Sequence, residues 1–326
     1  MIPAKGHPTP PVLFLVFNRP DLARRVFARI REARPARLFI AADGPRPDHP
    51  DDGPTCRETR LLALQVDWPC EVKTLFRDAN LGCRAAVSSA ITWFFEHVEA
   101  GIILEDDCLP DLSFFPFCAE LLEKHMHNDS VASISGDCFD PRRYRKGVSY
   151  SFSKYQHIWG WATWKRAWKH FDVNVTQTRN ELCDASWHER FHKDKLVASY
   201  WHKIANDYHS GNINTWAYPW MFGCWVRCAH CIVPTTNLVA NIGFDARGTH
   251  TKYAGHRLSD IALRPIMFPL SHPNVVERDR HLERWTEKHA LGICPQRKTS
   301  YIWSRLLHVF TAVAGMKAKS NRRRFT

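Results

Sequence analysis

The sequence has no apolar run long enough to span a bilayer, which excludes a helical membrane crossing. Its first residues, Met1-Ile2-Pro3-Ala4-Lys5-Gly6, form no secretory apolar core. The cysteines number eleven, an odd count, and lack the spacing of a disulfide scaffold. Cys83 and Cys118 fall inside apolar periodic segments, where a buried reduced thiol is the default. A cytoplasmic setting is therefore expected. There is no Walker A motif and no GxGxxG, so a glycine loop with helix amides is not the expected phosphate cradle. No helix-turn-helix, zinc-finger or aromatic-basic platform pattern accompanies the positive charge, and nucleic acid is not an expected partner. Internal repeats and low-complexity segments are also missing.

What is present suits a large core. The chain has 326 residues, of which 44% are hydrophobic and 12% aromatic, enough for one large domain or two ordinary ones. Its formal charge of +12 is concentrated partly near the end, at Lys317, Lys319, Arg322, Arg323 and Arg324. Before these lies an apolar segment, Tyr301 to Phe310, edged with Arg305. Such a helix and tail suit peripheral attachment to an anionic membrane surface at the inner face of the cell membrane. They equally suit a packed terminal helix with a solvated tail.

The first 140 residues alternate between strand and helix. Strands are predicted at 12–17, 37–42, 71–76, 101–104 and 131–135. Helices are predicted at 20–33, 56–66, 84–98 and 113–126. This rhythm predicts βαβ units and an α/β doubly wound, mostly parallel sheet with helices on both faces. Beyond about residue 140 Trp, His and Pro become frequent and the rhythm fades, with helices expected near 185–209. That half reads as substrate-facing elaboration packed on the same sheet. The expected division is a domain over 1–255, with a nucleotide half at about 10–140 and an acceptor half at about 141–255. A helical extension with the basic tail occupies 256–326.

The most informative stretch is Gly101-Ile102-Ile103-Leu104-Glu105-Asp106-Asp107, an apolar strand ending in three carboxylates. Ligands of open α/β sheets bind outside the carboxyl ends of the strands. Three acids placed there repel unless a cation neutralises them, so the run reads as a metal–phosphate site or as an acidic turn. Asn18-Arg19-Pro20 and Ala42-Asp43-Gly44 fall at the same sheet edge. Arg19 reads as a bidentate clamp on a diphosphate or as a surface salt bridge. Asp43 reads as an acceptor for a base or ribose, or as a turn residue. Glu105 and Asp106 are assigned to the nucleotide and Asp107 to the metal. Three polar clusters on one edge carry more weight than any one of them.

The motif order FNRP, ADG, RDANLGC, GIILEDD, ISGD resembles nucleotide-sugar glycosyltransferases of the glycosyltransferase-A fold. It is similar to bacterial family-2-type enzymes and, more remotely, to N-acetylglucosaminyltransferase I. The resemblance covers roughly residues 12–252 and includes the YQHIWGWATW and NLVANIGF segments. It implies transfer from a nucleoside-diphosphate sugar, expected to be a UDP-sugar, to a glycan or lipid-linked acceptor in surface polysaccharide synthesis. It also implies Mn²⁺ or Mg²⁺ held by Asp107, the last residue of a variant DXD motif. Arg19, Asp43, Asn80, Glu105 and Asp106 become the nucleotide set. In related chains a Trp-Asp-Tyr-Gln-Trp segment carries an acid; here Thr215-Trp216-Ala217-Tyr218-Pro219-Trp220 has Ala217 in its place. The candidate bases are then Asp245, Asp137 and His157, with Asp245 first. The alternative is a catalytically impaired nucleotide-sugar-binding or scaffold protein. A nucleotidyltransferase is disfavoured by the lack of a glycine-rich, Lys/Arg-bearing loop after the first strand.

His250 reads as a further metal or diphosphate contact, or as a loop histidine. Trp159, Trp161, Trp216 and Trp220 are candidate sugar-stacking surfaces for the acceptor, although most of the thirteen Trp are expected in the core. Cys224, Cys228 and Cys231 have the C-x₃-C-x₂-C spacing of an iron–sulfur site, and His230 would make a zinc set. Coincidence among eleven cysteines is the better account.

Overall fold

The computed structural model describes residues 8–140, 147–244, 258 and 261–293. Its first half alternates as predicted: β1 (Val12–Val16), α1 (Pro20–Ala33), β2 (Arg37–Ala42), α2 (Asp52–Ala63), β3 (Glu71–Phe76), α3 (Gly82–His97) and β4 (Ala100–Glu105). Pro20 at the first turn fixes the start of α1, as its locked φ and missing N–H allow there. Next come β5 (Cys108–Pro110), α4 (Phe114–Lys124) and β6 (Val131–Ser135).

The second half supplies β7 (Tyr150–Ser153), β8 (Trp161–Trp164), α5 (Lys165–Trp168), α6 (Arg179–Cys183), α7 (Ala185–His192), α8 (Lys195–His209), α9 (Ala217–Val226), β9 (His230–Pro234) and β10 (Val239–Asn241). It ends, among the described residues, with α10 (Arg280–Trp285) and a π-helical turn (Thr286–Ala290).

One sheet runs through both halves, in the order β3-β2-β1-β4-β8-β6-β9-β7. The β3-β2-β1-β4 block is parallel, with Phe14 opposite Ile40 on one side and Leu104 on the other. β8 lies antiparallel between β4 and β6, and β7 lies antiparallel to β9. The architecture is thus α/β and doubly wound, with a mixed sheet beyond β4. Among those later strands β6 lies at the predicted 131–135, whereas β7, β8 and β9 are the part that the fading rhythm concealed.

Alternation along β1 assigns its two faces. Val12, Phe14 and Val16 pack with α1 and α4 through Val26, Ile30, Phe117 and Leu121. Leu13 and Leu15 pack on the other face with Ile91 and Phe94 of α3 and Trp220 of α9. α6 to α9 form a third apolar cluster around Trp201 and Trp225. The turn after α10 is tied to β7's end by an ion pair between Lys154 Nζ and Glu287 Oε1, 2.8 Å apart. The expected boundary at residue 255 and the tail beyond 293 lie outside the described residues. No described helix is long and apolar enough to cross a membrane.

Candidate active site

The four parallel strands all end at one edge, where the segments that leave them line a cleft of about 250 Å³. β1 leads into Phe17, Asn18 and Arg19, β2 into Asp43 and Arg46, and β3 into Arg77, while Glu105, Asp106 and Asp107 close β4. Cys83, Ala86, Val87 and Ala90 of α3 form an apolar wall, and Trp159, Trp216 and Asn241 complete the rim. Polar groups converging on a partly apolar recess are the usual make-up of a small-molecule site.

The acidic end is organised by Arg19. Because Pro20 begins the helix, Arg19 is its N-cap residue and its side chain turns back toward β4. Its Nη2 donates to Asp106 Oδ1 and, at 2.9 Å, to Asp107 Oδ2. Phe17 N donates to the other oxygen of Asp106 at 3.2 Å. Burial alone would lower the guanidinium's pKa, but Asp106 and Asp107 together hold it above its ordinary value. Burial, with Asp107 and Asp106 adding to it, pushes Glu105 up to about 8. Burial likewise lifts Asp106 to about 6, against the pull of Arg19. Among the described residues, one cation therefore faces three carboxylates, and no described donor is bonded to Glu105.

Of the two sequence-based readings of Arg19, the structure displays an ion pair, made with its neighbouring acids. As arranged, its Nη2 holds the acidic residues in place instead of standing free to clamp a diphosphate. Gly243 lies directly behind the pair. A Cβ added there would sit 2.3 Å from Asp107 Oδ2 and 2.8 Å from Arg19 Nη1. The segment bearing Gly243 is fixed by antiparallel pairing of β10 with β5 and by Ile242 N donating to Asp107 O at 2.8 Å.

Asp43 is likewise committed. Its carboxylate accepts from Gly44 N at 3.0 Å, from Leu81 N at 3.0 and 3.1 Å, and from Gly82 N at 3.0 Å. It therefore anchors the start of α3 to the end of β2, and its lone pairs are largely spent. Asn80 donates to Gly44 O at 2.8 Å, so it too joins the loops. Gly44 is required here, because a Cβ would meet Ala79 carbonyl carbon at 2.4 Å.

A further acid, Asp52 at the start of α2, carries no sequence signal and is 3% exposed. It takes a bidentate pair from Arg46 at 2.6 and 2.9 Å and a bond from Asn18 Nδ2 at 2.7 Å. The hydrogen bonds from Arg46 hold its pKa down to about 2. Arg77, also missed, donates to Ser89 Oγ at 2.7 Å and lines the cleft beside α3.

The remaining candidates separate. Trp159 reaches the cleft; Trp216 borders it from the core, 1% exposed and stacked on Trp161, and Trp161 and Trp220 are packed against Trp168, so none of these three leaves a face open to a sugar. Asp137 and His157 bond each other at 2.5 Å in the interior, with His157 stacked on Phe139. Asp137 touches the rim only through Trp159 N, which donates to it at 3.2 Å. Neither opens on the cleft, which argues against either as a proton acceptor there. Asp245 and His250 lie outside the described residues. Cys224 and Cys231 are buried while Cys228 is exposed. Among the described residues no three His, Cys, Asp or Glu side chains gather as a metal set.

The acidic end nonetheless fits a hard cation of the kind that takes one or two protein carboxylates and completes its shell with phosphate and water. Among the described residues Asp107 Oδ1 is met only by the Cys108 thiol, at 3.6 Å, and Glu105 is unpaired by any described donor.

Neither a protein-family model nor a curated protein matches the chain. Among solved structures it is similar to HddC from Yersinia pseudotuberculosis, with 11% identity and a TM-score of 0.29 over 48% of this chain and 77% of that one. It is also similar to a cytidylyltransferase from Leptospira borgpetersenii serovar Hardjo-bovis, with 10% identity and a TM-score of 0.31 over 61% of this chain and 74% of that one. Overlaps this loose carry no argument about function.

Proposed function

We propose that the chain is a metal-dependent glycosyltransferase that takes a nucleoside-diphosphate sugar, a UDP-sugar first, and acts on a glycan or lipid-linked acceptor. The observation that carries this reading is the convergence of all four parallel strand ends on one cleft, with an acidic cluster at one end that the described residues only partly neutralise. In this reading Asp107, with Asp106 beside it, holds Mn²⁺ or Mg²⁺. When bound, the cation neutralises charge on the departing diphosphate. Arg19 fixes the two carboxylates, and Trp159 offers the aromatic wall. Asp245 carries forward as the proton acceptor and His250 as a further contact. Attachment to an anionic membrane surface through the basic tail belongs to the same proposal.

The test is calorimetric titration with UDP, GDP, CDP and dTDP, with and without Mn²⁺, beside Asp107→Ala. Metal-dependent binding that the variant loses supports the donor site, and hydrolysis or transfer of a UDP-sugar completes the case. Silence of the wild type toward all four nucleotides defeats it.

A second reading, a nucleotide-sugar-binding or scaffold protein without turnover, draws on Ala217. It is buried at the start of α9, where related chains carry an acid. Metal-dependent binding without hydrolysis or transfer of any sugar nucleotide would favour it.

A further inference from the structure

Two cleft-lining side chains, Asn18 and Arg46, converge on a carboxylate that is itself outside the cleft. Asp52 takes Nε and Nη2 of Arg46 through its two oxygens, and Arg46 N donates to it at 3.1 Å. The guanidinium also lies over the Phe17 ring, 5.5 Å from its centre. A fork held on one edge and braced on one face has little rotational freedom left. No described residue takes Nη1. The pair with Asp52 is electrically neutral, so what Arg46 offers a ligand is a directed N–H more than a net charge. A phosphate would gain little from it; an uncharged carbonyl oxygen would gain a full hydrogen bond.

Position decides which part of a ligand that is. Arg46 lies beyond the end of β2, two strands away from the carboxylates of β4, which places it about 10 Å from the acidic end at ordinary strand spacing. With the diphosphate at the acids, the ribose spans that distance and the base reaches Arg46. We infer that Arg46 donates to a base carbonyl oxygen of the nucleotide and so sets base preference, and that Asp52 is the residue that positions it. This inference rests on the donor-site reading above.

The experiment compares UDP, which has base carbonyls, with ADP, which has none, by calorimetry with Mn²⁺ at low and high salt. Arg46→Met, Arg46→Lys, Asp52→Asn and Asp107→Ala are titrated beside the wild type. Wild type is expected to prefer UDP. Arg46→Met and Asp52→Asn should each weaken UDP about tenfold, as loss of one hydrogen bond to a charged donor does, and leave ADP unchanged. Lysine keeps the charge but not the fork and should not rescue. The salt dependence should stay that of the wild type. Equal weakening of UDP and ADP with a flatter salt dependence would place Arg46 on phosphate and overturn the inference. So would undiminished UDP binding by Arg46→Met while Asp107→Ala loses it, an outcome that leaves the donor site standing. Silence of the wild type toward both nucleotides removes the donor site and this inference together. Arg46 is half-exposed, so its variants carry the test should Asp52→Asn not fold.

Discussion

Arg19 Nη2 donates to Asp106 and Asp107 at once, two of the three carboxylates that close β4, and among the described residues it is the one guanidinium paired with any of them. The pair-bonded acids are nearly enclosed, so removing the cation leaves charge in a poorly solvated place. Arg19→Met should therefore destabilise the chain by about 3–5 kcal/mol, the usual result of breaking a buried ion pair from one side. Urea denaturation near neutral pH reads this directly. A loss within about 0.5 kcal/mol, as for an ordinary surface change, would mean that the cluster is better solvated than its burial indicates.

The same crowding fixes a pH dependence. Glu105 stands at about 8 and Asp106 at about 6 in the fold, against ordinary values of 4.5 and 3.8. Between those limits the folded chain holds protons that the unfolded chain has released. Stability from these groups is thus complete below about pH 4 and is lost as pH rises toward 8. In EDTA, the melting temperature should fall from about pH 5 to about pH 8.5, and Glu105→Gln should flatten that slope. Asp52 works in the opposite sense: its pKa of about 2 gives stability above the ordinary carboxylate range that is lost in acid. If Glu105→Gln melts with the wild-type slope, Glu105 is not the group responsible.

Gly243 tests the backing of the cluster. A methyl at this position would overlap Asp107 Oδ2 and crowd Arg19 Nη1, and β10 is held too firmly by β5 to retreat freely. Gly243→Ala should cost about 1–3 kcal/mol, as over-packing does. Under the proposed function it should also abolish metal-dependent nucleotide binding more completely than it lowers stability. Calorimetry beside thermal melting separates the two effects; intact binding would show that Asp107 can move aside.

Two walls of the cleft are legible in local sequence pattern: the apolar run ending at Glu105 reads as a buried strand, and Pro20 marks the start of α1. The function of Asp43 is not legible, because the N–H groups of Leu81 and Gly82 that it accepts lie about forty residues further along the chain. Asp52 is hidden for the same reason: nothing near it in sequence says that Asn18 and Arg46 will both turn to it. The Trp residues divide by strand position. Trp159 precedes β8 and reaches the rim, whereas Trp161 opens a strand in the middle of the sheet and is buried there. The antiparallel insertion of β8 is a tertiary choice, and its four residues are too short to announce a strand.

Asp43 separates anchoring from ligand contact. Its carboxylate holds three backbone N–H groups, two of them at the start of α3, the helix that bears Cys83, Ala86 and Ala90 of the cleft wall. Asp43→Ala should cost about 1–2 kcal/mol, as loss of a helix cap does, with early hydrogen exchange of the amides of Leu81 and Gly82. Asp43→Asn keeps one carbonyl oxygen for these donors and should recover about half of that loss. Because the anchor acts through α3, nucleotide affinity should fall in step with the exchange of those amides across the two variants. A variant that binds nucleotide poorly while Leu81 and Gly82 remain protected would instead return Asp43 to direct contact with the ligand.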